Sequence, residues 1–187
     1  MKARHQYRQT TVSLDLEHFK FVDESGVNLA LTRLFGRAPR GQRVVDAVPK
    51  NYGENVTLLG ALSVSGVEAL MTVNGATDGE VFLVFVREVL SPTLHEGDVV
   101  VWDNLGAHRS QAVREAVEAR GAQLLFLPPY SPDMNPIERC WSKIKTFLRA
   151  AKARTREALE TAIKQALATV TESDARAWFA HCGYALN

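Results

Sequence analysis

The chain has 187 residues, 46% hydrophobic and 23% charged, which fits one globular domain with a substantial core and excludes a disordered or fibrous polymer. Its formal net charge of +1 announces no uniformly basic nucleic-acid binder, so any basic surface must be local. Cys140 and Cys182 lack metal-site or disulfide spacing, no apolar signal follows Met1–His5, and the run Val81–Val86 is far below the ~20 residues of a membrane span. A soluble cytoplasmic protein with reduced thiols and no membrane partner is expected.

Residues 1–17 are polar and basic, a leading segment or short helix ahead of a domain over 18–187. The alternation His18-Phe19-Lys20-Phe21-Val22-Asp23-Glu24 predicts a strand ending in two carboxylates. Residues 25–55 carry Gly36-Arg37-Ala38-Pro39-Arg40-Gly41 and read as loop with a short strand inside. Val56–Val64 and Val67–Val73 form a hairpin about Ser65-Gly66. Thr77-Asp78-Gly79-Glu80 has a capping-box pattern, which makes Val81–Leu90 a helix buried against a sheet.

Asp98-Val99-Val100-Val101-Trp102-Asp103 is a β-branched run of the kind found in strands covered on both faces. Ser110 caps a helix bearing Ala112, Val113, Ala116 and Val117 on one side, and Gly121 stops it. Gln123–Leu127 reads as another buried strand, followed by the stiff loop Pro128-Pro129-Tyr130-Ser131-Pro132. Asn135 as cap and Pro136 at the first helical position open the next helix. Amphipathic helices over Arg156–Val170 and about Asp174–His181 close the chain. The sum is an α/β fold, a mixed sheet flanked by helices.

Three acids stand where chemistry would be served. Asp23 and Asp103 end strands, and strand C-termini in α/β sheets open onto ligand crevices. Glu138 lies in the first turn of the helix after the Pro-rich loop. Convergent carboxylates are hard oxygen ligands for Mg²⁺ or Mn²⁺, and two ions ~3.5–4 Å apart can activate one oxygen and stabilise another. Spacing alone leaves alternatives open. Asp23 could form a turn ahead of Ser25-Gly26, Asp103-Asn104 a turn before Gly106, and Glu138 the acid of a capping box with Asn135.

The string Leu124-Leu125-Phe126-Leu127-Pro128-Pro129-Tyr130-Ser131-Pro132-Asp133-Met134-Asn135-Pro136-Ile137-Glu138 closely resembles DDE transposases of the mariner superfamily, in the branch carried by bacterial insertion sequences. Phe21-Val22-Asp23-Glu24-Ser25-Gly26 and Val100-Val101-Trp102-Asp103-Asn104-Leu105-Gly106-Ala107-His108 agree with it in order, as do Arg37–Gly41 and Trp178–Tyr184. The interval from Asp103 to Glu138 matches the family's spacing. The resemblance implies an RNase H-like fold with the first and fourth strands side by side. Asp23, Asp103 and Glu138 would then be the catalytic, metal-holding acids for two Mg²⁺ or Mn²⁺ ions. It also implies hydrolysis at a transposon end, then attack of the freed 3′-hydroxyl on target DNA, commonly at a TA step. No covalent protein–DNA intermediate is needed, so Tyr130 is expected to pack the loop.

Basic residues cluster without an acid from Arg139 to Arg156. Glu138, Ser142, Lys145 and Arg149 share one helix face, and Ile137, Trp141, Ile144 and Leu148 form an apolar stripe. Lys145, Arg149, Arg139 and Lys143 are the expected phosphate contacts, with Arg40 and Arg43 of the loop as candidates for DNA or a second subunit. His108 is a possible neighbour of the metals or a capping residue. Trp102, Trp141 and Trp178 read as core. The family's helix-turn-helix modules precede its catalytic domain and are missing from this chain. This points to partners: transposon-end and target DNA, a second copy as homodimer, and an upstream-encoded helix-turn-helix half. A non-enzymatic remnant and an RNase H-like nuclease without strand transfer stay as alternatives.

Overall fold

The computed structural model describes residues 2–103 and 110–185. Five strands form one mixed sheet: β1 (Phe19–Asn28), β2 (Asn55–Ser63), β3 (Gly66–Asn74), β4 (Val99–Trp102) and β5 (Gln123–Phe126), in the order β3-β2-β1-β4-β5. β1, β2 and β3 are an antiparallel meander, while β4 and β5 run parallel to β1 and to each other. The expected adjacency of the first and fourth strands is present.

Period-two alternation sorts the strand side chains into two cores. Phe19, Phe21, Val99 and Val101 face α4 (Ile137–Ala151), α5 (Arg156–Leu167) and α6 (Glu172–His181), meeting Trp141, Ile144, Leu159 and Phe179. Val22, Val100 and Trp102 face α2 (Gly79–Val84) and α3 (Gln111–Glu118), meeting Phe82, Val113 and Val117. Phe21 meets Phe179 edge-on at 5.2 Å between ring centroids, a geometry adding about 0.5–1.5 kcal/mol beyond burial. The stripe expected on α4 is buried as Ile137, Cys140, Trp141, Ile144 and Leu148.

Several expectations change. β1 does not end at Asp23, because pairing with β2 carries it on to Asn28 opposite Asn55. Residues 29–54 hold no strand at all. β5 is an edge strand, so Gln123 is exposed and Leu124 to Phe126 only half-buried. The helix before β4 begins at Gly79, and its second half, Phe85–Leu90, is wound as a π-helix. Its cap is Asp78, which accepts from the amides of Glu80 and Val81, and not Thr77, whose buried hydroxyl has no partner.

The leading segment is folded onto the domain. α1 (Lys2–Thr11) buries Tyr7 in the larger core, and Arg4 donates to Asp133 and to Ser131. Trp102 and Trp141 are fully buried and Trp178 partly so, as expected of core residues. Among the described residues no helix is long and apolar enough to cross a membrane.

Candidate active site

The backbone sets the two aspartates. Phe19, Lys20 and Phe21 pair in parallel with Val99, Val100 and Val101 at a constant offset (99 − 19 = 101 − 21 = 80). The ladder stops there, and Asp103 follows β4 by one residue, near enough for its charge to act on Asp23. Both acids have the parity of Phe21 and Val101, whose side chains face α4. Glu24 has the opposite parity and belongs to the other face of the sheet.

On its other side Asp23 pairs with Gly60 of β2. A Cβ on Gly60 would stand 2.7 Å from Cη2 of Trp141, so the missing side chain makes room for the indole against the strand. The indole in turn lies close enough to Asp23 to favour its ionised form, although its N–H makes no hydrogen bond of ordinary geometry.

Asp23 reports the neighbourhood electrostatically. Burial pushes its carboxyl up to about 7, and the charges of Glu138 and Asp103 push in the same direction, against a backbone amide at Glu24. Three acids far apart in sequence therefore act on one another. Glu138 is exposed in the first turn of α4 and Asp103 half-buried just after β4. Among the described residues no three His, Cys, Asp or Glu side chains stand close enough to hold an ion. Mutual repulsion spreads like charges, and a divalent cation offsets that repulsion.

Asn135 belongs to this site, and sequence reasoning missed it by reading it as a helix cap. The chain does enter α4 as foreseen: Asn135 is extended (φ −110°, ψ 98°) and Pro136 helical (φ −59°, ψ −31°). No side chain caps that end, however. Instead the Asn135 amide Nδ2 donates to Oδ2 of Asp23 at 3.4 Å, and its buried Oδ1 has no partner. The expected capping box with Glu138 does not form, because the Asn135 side chain is turned to β1. The donor set is all oxygen, with an orphaned neutral oxygen among the acids, and that chemistry fits Mg²⁺ or Mn²⁺.

The basic candidates separate. Lys145 sits near the acids: its ammonium is pushed down by burial and by Arg149, and up by Glu138 and Asp23. Arg149 is thus beside Lys145 on the same face. Lys143 is engaged elsewhere, donating to the Thr169 carbonyl at 2.7 Å and to Asp174 at 2.6 Å. Arg139 contacts His181. Arg40 and Arg43 are exposed on the segment between β1 and β2. Tyr130 does not pack the loop: it is 99% exposed, with a left-handed φ of 53° between the prolines. His108 lies outside the described residues.

The sequence profile of the DDE superfamily endonucleases matches residues 18–160. The chain belongs to that family. All three acids fall within the matched span. The Tcb2 transposase of Caenorhabditis briggsae is 28% identical over 149 residues, covering 74% of this endonuclease chain and 55% of that protein. The Tcb1 transposase of the same organism is 30% identical over 108 residues, covering 56% and 40%. The endonuclease fold also matches the Mos1 strand transfer complex with a TM-score of 0.70 at 18% identity, covering 97% of this chain and 57% of that one. The Mos1 transposase catalytic domain with Raltegravir and Mg matches with a TM-score of 0.65 at 14% identity, covering 97% and 84%. The architecture is the RNase H-like fold of those catalytic domains. The chain spans about half the length of the curated relatives it matches.

Proposed function

We propose that this chain is the catalytic part of a DNA transposase that hydrolyses phosphodiesters at transposon ends and joins the freed 3′-hydroxyl to target DNA. The observation that supports the reading is the charge of Glu138 and Asp103 felt at the buried Asp23 carboxyl, together with the parallel pairing of β1 with β4. The Mg, the Mn and the transposon end named with the Mos1 structures support it.

In this reading Asp23, Asp103 and Glu138 hold a pair of Mg²⁺ or Mn²⁺ ions. Such a pair lowers the pKa of an attacking water or hydroxyl and stabilises the leaving oxygen. The protein's own work is placement. The sheet fixes two acids, α4 brings the third, and the Trp141 indole and Asn135 hold Asp23 from the side. Lys145 and Arg149 extend from the acids along α4, where they neutralise the DNA backbone. Arg139 and Lys143 contribute only where DNA displaces their present partners, His181 and Asp174.

Residues 29–54 expose Leu34, Phe35, Val45, Val48 and Tyr52 among the basic Arg37, Arg40, Arg43 and Lys50. Neighbouring exposed apolar side chains of this kind suit a contact surface. We assign it to a second copy of the chain in a homodimer, with Arg40 and Arg43 reaching DNA. The string from Leu124 to Glu138 supports the bacterial insertion-sequence branch, with an upstream-encoded helix-turn-helix half supplying end recognition. The buried thiols Cys140 and Cys182 suit the cytoplasm.

The test is to join the chain to such a half and incubate it with transposon-end DNA and Mg²⁺ or Mn²⁺. Asp103→Ala and Glu138→Ala should each abolish cleavage and joining. Cleavage by Asp103→Ala equal to the parent would overturn the site, and cleavage without joining would reduce the protein to a nuclease.

A further inference from the structure

Asn135 is 5% exposed and stands between two of the acids. Its side-chain Nδ2 donates to Asp23 Oδ2 at 3.4 Å, and its backbone carbonyl accepts the amide of Glu138 at 3.2 Å. One residue thereby ties β1 to the start of α4. Pro136 behind it keeps the Asn135 backbone extended (φ −110°, ψ 98°) at the entry to α4. The NH₂ end faces the Asp23 carboxylate, the orientation a metal-holding acid requires, because an ionised carboxylate only accepts. That leaves Oδ1 buried with no partner. An unsatisfied buried carbonyl of this kind is costly and calls for an explanation.

We propose that Asn135 is a positioning residue of the metal centre: its NH₂ holds the Asp23 carboxylate in its ligating orientation, and its Oδ1 accepts a hydrogen bond from a water bound to the divalent ion. The inference rests on the assignment of Asp23, Asp103 and Glu138 as the metal-holding acids. A cap would satisfy the amide groups of α4, and the side chain makes no such bond. A packing role would leave an apolar residue of equal shape as good as the amide or better, because the orphan oxygen would disappear. Neither account gives the amide a reason to contact Asp23.

The experiment measures Mn²⁺ binding to the 187-residue chain by titration calorimetry and electron paramagnetic resonance, alongside thermal melting in EDTA. Asn135→Leu keeps the branching and the number of side-chain heavy atoms, at a larger volume, and removes both polar ends; Asn135→Ser is the second variant. Partners of metal ligands typically contribute 10–100-fold in affinity, so both variants should raise the Mn²⁺ dissociation constant by about that factor. Both variants should still melt cooperatively in EDTA, which shows that the loss of affinity is not a loss of fold. Wild-type affinity in Asn135→Leu or Asn135→Ser overturns the inference, as does a loss of cooperative metal-free melting in both variants, the mark of a structural role. Asp23→Asn separates the two levels: if it binds Mn²⁺ as the parent does, the site assignment itself has failed.

Discussion

The hydroxyls of Tyr7 and Tyr184, near opposite ends of the chain, are joined by a hydrogen bond of 3.0 Å. Tyr184 passes its own proton to the carbonyl of Met134 at 2.8 Å, so Tyr7 must be the donor between the two rings. This buried relay ties α1 and the C-terminal segment to the turn immediately before Asn135. Tyr184→Phe leaves the Tyr7 hydroxyl and the Met134 carbonyl unpaired, at a cost of about 1–3 kcal/mol, whereas Tyr7→Phe forfeits one neutral bond, about 0.5–1.5 kcal/mol. Urea denaturation of the two variants should rank them in that order.

Gly60 carries a second stability expectation. A methyl group there meets the Trp141 ring at 2.7 Å and the Leu70 side chain at 3.2 Å. Gly60→Ala should therefore destabilise by about 1–3 kcal/mol through overpacking. Because Gly60 pairs with Asp23, DNA cleavage in Mg²⁺ should fall further than the loss of folded protein accounts for. Cleavage that merely tracks the folded fraction would show that Trp141 does not help place the acid.

The raised carboxyl of Asp23 sets a pH dependence. Its ordinary value of 3.8 rises to about 7 in the fold, through burial first and then through Glu138 and Asp103. The folded state therefore binds the proton more tightly than the unfolded chain. This contribution is complete below pH 4 and is lost as pH climbs through 7. In EDTA, chemical denaturation at steps across that window should show stability falling with pH. Asp23→Asn should flatten the slope, and a slope unchanged in Asp23→Asn would rule out this carboxyl as its origin.

Lys145 and Lys143 lie on one helix and should behave differently. Lys145→Ala should weaken DNA binding and reduce the slope of log K against log salt by about 1, with little change in melting temperature. Lys143 holds Asp174, whose carboxyl is lowered to about 2 chiefly by that lysine. Lys143→Ala should loosen the α4–α6 contact and leave the salt slope nearly intact. Fluorescence anisotropy with labelled DNA at several salt concentrations distinguishes the two.

Much of the sheet was readable because burial writes itself into residue type. The β-branched run Val99–Val101 announced a covered strand, and the acid at its end stood out against it. Asp23 was harder to place, since Asp23-Glu24-Ser25-Gly26 reads as a turn and only the ladder to β2 keeps it extended. Asn135 was hidden for a different reason. Its local signals all favour a cap, and the competing partner lies on a strand far away in sequence. Tyr130 misled because an aromatic between prolines suggests packing, while its backbone turns the ring outward. The π-winding of Phe85–Leu90 has no signature in residue order.

The pairing of β1 with β4 has one more consequence. Because the two aspartates owe their proximity to main-chain hydrogen bonds, most side chains around them are free to drift while the spacing survives. A single residue inserted or deleted inside β4 would be another matter, turning Asp103 toward α2 and α3 and away from its companions. Lineages descended from this domain should therefore tolerate abundant substitution but almost no change of length in those two short stretches.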